Sequence, residues 1–157
     1  MFAISKMLNS EGVFQQLLNA LEAGKLPAVL GGLNYIHRAL VAATIRRISG
    51  RPVLLLCADE NEAQRFISDL SSLTEEDVYS LTSRDFNFYD ADVGSHQFEQ
   101  NRLQTMAAMA NDRAGIIVST VDALMQRTIP KETLLQSTLT MKIGEEYDLR
   151  EITNRDA

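Results

Sequence analysis

The stretch Arg51-Pro52-Val53-Leu54-Leu55-Leu56-Cys57-Ala58-Asp59-Glu60-Asn61-Glu62-Ala63 decides the fold. Arg51 to Ala58 reads as a continuous apolar strand followed by Asp59, which is the pattern of a parallel sheet covered on both faces. Asp59 then stands as a helix N-cap, with Glu62 three residues on in capping-box position. The helix they open places Ala63, Phe66, Ile67, Leu70 and Leu73 on one stripe. Strand, capped turn and amphipathic helix in succession are one half of a β-α-β unit.

Reading outward from this unit extends the alternation in both directions. Upstream, Asn34 to Ser49 predicts a helix with Ile36, Leu40, Ala43 and Ile48 on one side, Arg46 and Arg47 at its C-terminal end, and Gly50 as its stop. Pro27-Ala28-Val29-Leu30 predicts a short buried strand running into Gly31-Gly32. Before it, Phe14, Leu17, Leu18 and Leu21 give a helix closed by Gly24. Downstream, Val78 to Leu81 predicts a strand, and a looser stretch from Thr82 to Gly94 leads to a helix from about His96 to Ala110 bearing Leu103, Met106, Ala107 and Ala110. Gly115 to Thr120 predicts another buried strand, and Val121 to Gln126 a short helix. The expected fold is α/β, a parallel sheet flanked by helices with right-handed crossovers, over residues 1–130. From Lys131 the texture changes. Leu139, Met141 and Ile143 alternate as in an edge strand, and a polar end with a helix start at Asp148 follows. Residues 131–157 therefore read as the opening of a second, α+β domain.

Composition narrows the function. With 45% apolar and 23% charged residues the chain is an ordinary globular sequence, and its net charge of −6 argues against a domain that grips DNA by itself. No apolar run approaches the ~18 residues a membrane helix needs, and the first residues lack a secretory pattern, so no membrane is expected and the expected location is cytoplasmic. The single cysteine, Cys57, fits a reducing compartment and reads as core.

The first strand–loop–helix of a nucleotide-binding α/β domain holds the phosphates in a loop G-x-x-x-x-G-K-[S/T]: glycines admit backbone N–H groups, Lys neutralises charge, and Ser/Thr holds Mg²⁺. Val29-Leu30-Gly31-Gly32-Leu33-Asn34-Tyr35-Ile36-His37-Arg38 has that context. Counted from Gly31, however, Ile36 stands at the second glycine, His37 at the lysine and Arg38 at the Ser/Thr. A branched side chain blocks close approach, a neutral imidazole brings little charge, and arginine cannot coordinate magnesium. Ordinary ATP hydrolysis is not expected here; Arg38 reads as a solvated arginine on a helix, with an anion contact at the helix N-terminus as the alternative.

Other constellations carry less. Phe86, Phe88, Tyr89 and Phe98, with Arg84 and Arg102, interleave aromatic and basic residues as single-strand binders do. Asp85, Asp90, Asp92 and Glu99 make the same stretch acidic, so loop anchoring is the preferred reading. Asp90 and Asp92 lack a third ligand at metal spacing, and His37 and His96 have no companions, so no metal is assigned. Ser95-His96 and Ser119 match no nucleophile elbow.

Taken together, four blocks resemble one family. They are Gly31 to Ile45, the run Arg51 to Ala63, Arg84-Asp85-Phe86-Asn87-Phe88-Tyr89-Asp90 followed by Gln100-Asn101-Arg102-Leu103, and Gly115 to Leu124 followed by Pro130. Their order and spacing resemble the N-terminal region of the bacterial transcription-repair coupling factor (Mfd), a UvrB-like domain with a degenerate P-loop. UvrB itself keeps an intact Gly-Lys-Thr and inserts a long β-hairpin after its Tyr-Asp, for which Ala91 to Gln97 leave no room.

The resemblance implies a P-loop NTPase- or helicase-like fold and a non-catalytic N-terminal module that supports UvrA recruitment and autoinhibition in transcription-coupled nucleotide excision repair. The full-length family is an ATP-dependent DNA translocase acting on RNA polymerase, with ATP and Mg in a downstream motor and no cofactor in this segment. The family's UvrA-facing arginines find no match here, so no UvrA-binding residue is carried over. The alternative reading is a nucleotide-sensing domain using a variant loop at Gly31 to Arg38.

Overall fold

The computed structural model describes residues 12–83, 94–138, 144 and 146. In chain order these form α1 (Gly12–Glu22), α2 (Tyr35–Ser49), β1 (Val53–Cys57), α3 (Glu60–Leu73), β2 (Val78–Leu81), α4 (Gly94–Ala110), β3 (Ile116–Thr120), α5 (Val121–Met125) and α6 (Lys131–Ser137). The strands make a parallel sheet in the order β1-β3-β2, so the expected α/β class with a helix-flanked parallel sheet holds.

Register fixes the two faces. Val53, Ile116 and Val78 lie side by side, as do Leu55, Val118 and Ser80, and these share one face with Cys57. Against it pack Ala39 and Ala42 of α2 and Ala63, Phe66 and Leu70 of α3, forming the main core. On the other face, Tyr79, Leu81 and Ile117 pack with Met106 and Ala108 of α4 and with Ala114. The central strand β3 is buried along its whole length. α6 packs beside α4, with Leu134 buried.

The local signals act as the residues dictate. Asn34 caps α2, its side chain accepting from the His37 N–H at 3.0 Å, and Gly50 ends it in the left-handed region at φ 65°, donating its N–H to the Arg46 carbonyl. Asp59 caps α3 by accepting from the Glu62 N–H at 2.8 Å. The return half of the box is displaced by one residue, because the Glu62 carboxylate takes the Ala58 N–H at 2.7 Å rather than that of Asp59.

Four expectations are corrected. Residues 27–30 are not a strand: Val29 is 93% exposed and has no ladder partner among the described residues. An apolar run alone does not make a strand without a neighbour to pair its backbone. Second, among the described residues β1 is covered on one face only. It is an edge strand among the described residues, and Leu54 and Leu56 are about half exposed because α4 spans only β2 and β3. Third, α2 buries Ala39, Leu40 and Ala42, while Ile36 and Ile48 point outward; small residues let the helix lie close on the sheet.

The fourth concerns α4. Its buried stripe runs through Arg102, Thr105 and Ala108, one residue away from the expected Leu103 and Ala107, and Leu103 is exposed. The expected strand through Leu139, Met141 and Ile143 and the helix start at Asp148 lie outside the described residues.

Candidate functional site: the Gly31–Arg38 segment and the strand crest

The segment Gly31–Arg38 lies on the surface, with only Leu33 half-buried. A Cβ added at Gly31 or Gly32 would meet nothing within 4 Å, so neither glycine makes room for a closely approaching group; only Gly32, at φ 75°, needs its backbone freedom. At the helix start one first-turn amide is taken by a side-chain cap, and the first intrahelical bond follows it. His37 N–H goes to the Asn34 side chain and Arg38 N–H to the Asn34 carbonyl at 3.0 Å. The positive end of α2 thus carries a neutral side-chain cap on the His37 amide.

Arg38 is committed elsewhere. Its Nη1 lies 3.6 Å from Glu62 Oε1, and its guanidinium stands 5.6 Å from the Tyr35 ring centroid. Arg65 approaches the same ring at 5.5 Å, and Tyr35 packs on Phe66 with centroids 5.8 Å apart. These cation–π and aromatic contacts tie the start of α2 to α3. The structure therefore brings Arg38 and Tyr35 together with Glu62 and Arg65. Gly31, Gly32, Ile36 and His37 form an exposed strip, with no converging partner for a phosphate among the described residues.

The second locus is the crest formed by the C-terminal ends of β1 and β3, where ligands of open α/β sheets settle. A cavity of about 260 Å³ there is lined by Ala58, Asp59, Glu60, Asn61, Ser83, Thr120 and Asp122. Among the described residues three carboxylates and no cation line it, a charge that repels phosphate and nucleic acid. Glu60 is buried at its floor, its Oε1 accepting from Ser83 N–H at 3.0 Å and from Thr120 Oγ1 at 3.2 Å.

Arg102 is buried behind the crest and donates to the carbonyls of Thr82 at 2.9 Å and Ala123 at 3.3 Å, while Gln126 Nε2 donates to Ser83 Oγ at 2.9 Å. Arg102 thus serves the backbone, not unstacked bases. The aromatic loop and its aspartates, from Arg84 to Asp92, lie outside the described residues, as do the side chains of His96 and Phe98. Among the described residues no three His, Cys, Asp or Glu side chains converge on a metal site. No helix among them is long and apolar enough to cross a membrane.

Cys57 closes the inner side of this crest. It is buried, and burial first, then the carboxylates of Glu62, Glu60 and Asp59, push its thiol up to about 11. A thiol held in this state is a packing group rather than a nucleophile.

Sequence reasoning missed Glu60, and it named Arg102 beside the aromatic loop without finding its backbone partners. Glu60 sits between two residues already explained as caps, and a strong capping box hides a third carboxylate. Arg102 sits on the helix stripe with Thr105 and Ala108, so the signal was helical spacing of buried positions, two of them polar and therefore silent in a hydrophobic pattern.

Fold and site together define a class: an α/β domain on a three-stranded parallel sheet, whose first described loop–helix is capped by Asn34 and tied down through Arg38. Comparison with known proteins is then specific. The chain is 22% identical over 153 residues to the transcription-repair-coupling factor of Bacillus subtilis, covering 97% of this chain and 13% of that protein. It is 28% identical over 117 residues to that of Escherichia coli, covering 74% of this chain and 10% of that protein. With that of Staphylococcus aureus it shares 20% identity over 156 residues, 99% of this chain and 13% of that protein. The resemblance carried by the four blocks is borne out, and the chain spans 10 to 13% of the length of these relatives. No family model and no solved structure matches the chain.

Proposed function

We propose that this chain is a non-catalytic module of a transcription-repair coupling factor, in which a P-loop-type loop–helix, without the preceding strand, has become a scaffold. Residues Gly31, Gly32, Ile36, His37 and Arg38 occupy the motif positions without performing the motif's chemistry. The observation that carries this reading is the engagement of Arg38 by Glu62 beside a helix start capped by Asn34. The acidic lining of the crest among the described residues supports a segment that does not hold DNA through its strand ends. Similarity to coupling factors over most of the chain supplies the context, that of transcription-coupled nucleotide excision repair.

In that context the module supports recruitment of UvrA and autoinhibition through docking on the rest of a longer polypeptide. ATP, Mg and RNA polymerase are handled by other parts of the full-length translocase. Residues from Lys131 onward open the domain that faces UvrA, and its location is the cytoplasm. The test is turnover: the purified chain is expected to release no phosphate from ATP above background, with or without DNA. Turnover that disappears in Arg38→Ala would overturn the reading.

A further inference from the structure

Along the free side of β2 the sheet changes character. On the face shared with α3, β1 and β3 present Val53, Leu55, Ile116 and Val118, whereas β2 turns from Val78 to Ser80 and, two residues on, Thr82. Thr82 is only 4% exposed, and the side-chain oxygens of both Ser80 and Thr82 are buried with no hydrogen-bond partner among the described residues. Valine at either position would extend the apolar core, so hydroxyls there are costly unless something meets them.

Both residues line a groove of about 1000 Å³ between α3 and α4, with Gln64 of α3 and Gln104 of α4 on its walls. β3 is the one ladder neighbour of β2 among the described residues, so β2 offers an edge of the kind that extended segments add to. Thr105 Oγ1 already donates to the Ser80 carbonyl at 2.7 Å, which shifts recognition from that carbonyl to the two hydroxyls.

The rim decides the occupant. Glu75 and Asp77 are exposed at one end, with Glu76 between them paired to Arg46 at 2.8 Å, and among the described residues Arg113 is the single cation lining the groove. This charge repels phosphate chains and complements lysine or arginine. We propose that the β2-edge groove is a docking site for an extended segment of a partner protein that carries basic residues. Its polar side chains meet Ser80 and Thr82, and its cations meet Glu75 and Asp77.

The experiment is selection of a randomised linear nonapeptide display library on the whole chain, followed by titration of the recovered peptides into the isotopically labelled protein. Enrichment in Lys and Arg is expected, with amide shifts concentrated at Val78 to Thr82. Affinity should fall at least ~10-fold in the Glu75→Lys/Asp77→Lys variant and several-fold in Thr82→Val, an isosteric change whose melt verifies the fold. No enrichment, a consensus without cations, shifts elsewhere, or unchanged affinity in the charge-reversed variant would overturn the proposal.

Discussion

Arg38 Nη1 stands 3.6 Å from Glu62 Oε1, and Glu62 Oε2 at the same time accepts the Ala58 N–H, so one carboxylate joins the first turn of α2 to the end of β1. The two residues contribute unequally. Arg38 is half-exposed and its ion pair is screened, so Arg38→Ala is expected to cost below ~1 kcal/mol in urea unfolding. Glu62→Ala also frees a backbone amide beside the helix start and should cost ~1 kcal/mol more. Equal losses from the two variants would contradict this account of the pair.

The crest makes a larger prediction. Glu60 is buried and accepts from Ser83 N–H and Thr120 Oγ1, so Glu60→Ala strands two donors and is expected to destabilise by ~2–4 kcal/mol. Arg102→Met removes donors to the Thr82 and Ala123 carbonyls and should fall in the same range. Equilibrium denaturation measures both, and a loss under ~0.5 kcal/mol in either would show that these bonds are not formed in solution.

How much was legible in the sequence follows from which forces leave a pattern. The β1–α3 unit was readable because apolar continuity, an N-cap and a helical stripe coincide in one stretch. Asn34 and Gly50 were readable as ends for the same reason. Residues 27–30 were misread because strand formation depends on a neighbouring backbone, which side-chain hydropathy does not report. The buried face of α4 was displaced by one position because Arg102 and Thr105 are buried through hydrogen bonds, not through apolarity. The exposed side of β1 depends on how far α4 reaches across the sheet, a tertiary fact. At the candidate site, the loss of motif chemistry at Ile36, His37 and Arg38 was visible in the residue types; the partner of Arg38 was not.

Gly115 predicts a different kind of effect. A Cβ there would lie 2.3 Å from Glu76 Oε2 and 2.7 Å from Arg46 Nε, in the middle of their ion pair. Both are side-chain ends that can shift, so Gly115→Ala should cost no more than ~1 kcal/mol. The Arg46→Ala background should reduce that cost in a double-mutant cycle. A full loss of folding on Gly115→Ala would mean that the backbone, not the ion pair, is what crowds this position.

Cys57 gives the pH dependence. Its thiol is raised from 9.0 to about 11, so the folded state holds the proton more tightly than the unfolded chain. Its contribution is fully present below pH 9 and is lost as pH rises toward 11. Melts across that window should fall more steeply than those of Cys57→Ala, once the overall loss of packing is subtracted. At neutral pH the native protein should react slowly with a thiol reagent that labels the urea-unfolded chain at once; equal rates would contradict the burial.

The most direct test of the central claim is a calorimetric titration of the folded chain with ATP and magnesium. The account predicts no binding heat at millimolar nucleotide, because Asn34 caps α2 and Arg38 is held by Glu62. Saturable micromolar binding that is lost in Arg38→Ala would contradict it and make the Gly31–Arg38 segment a working phosphate site.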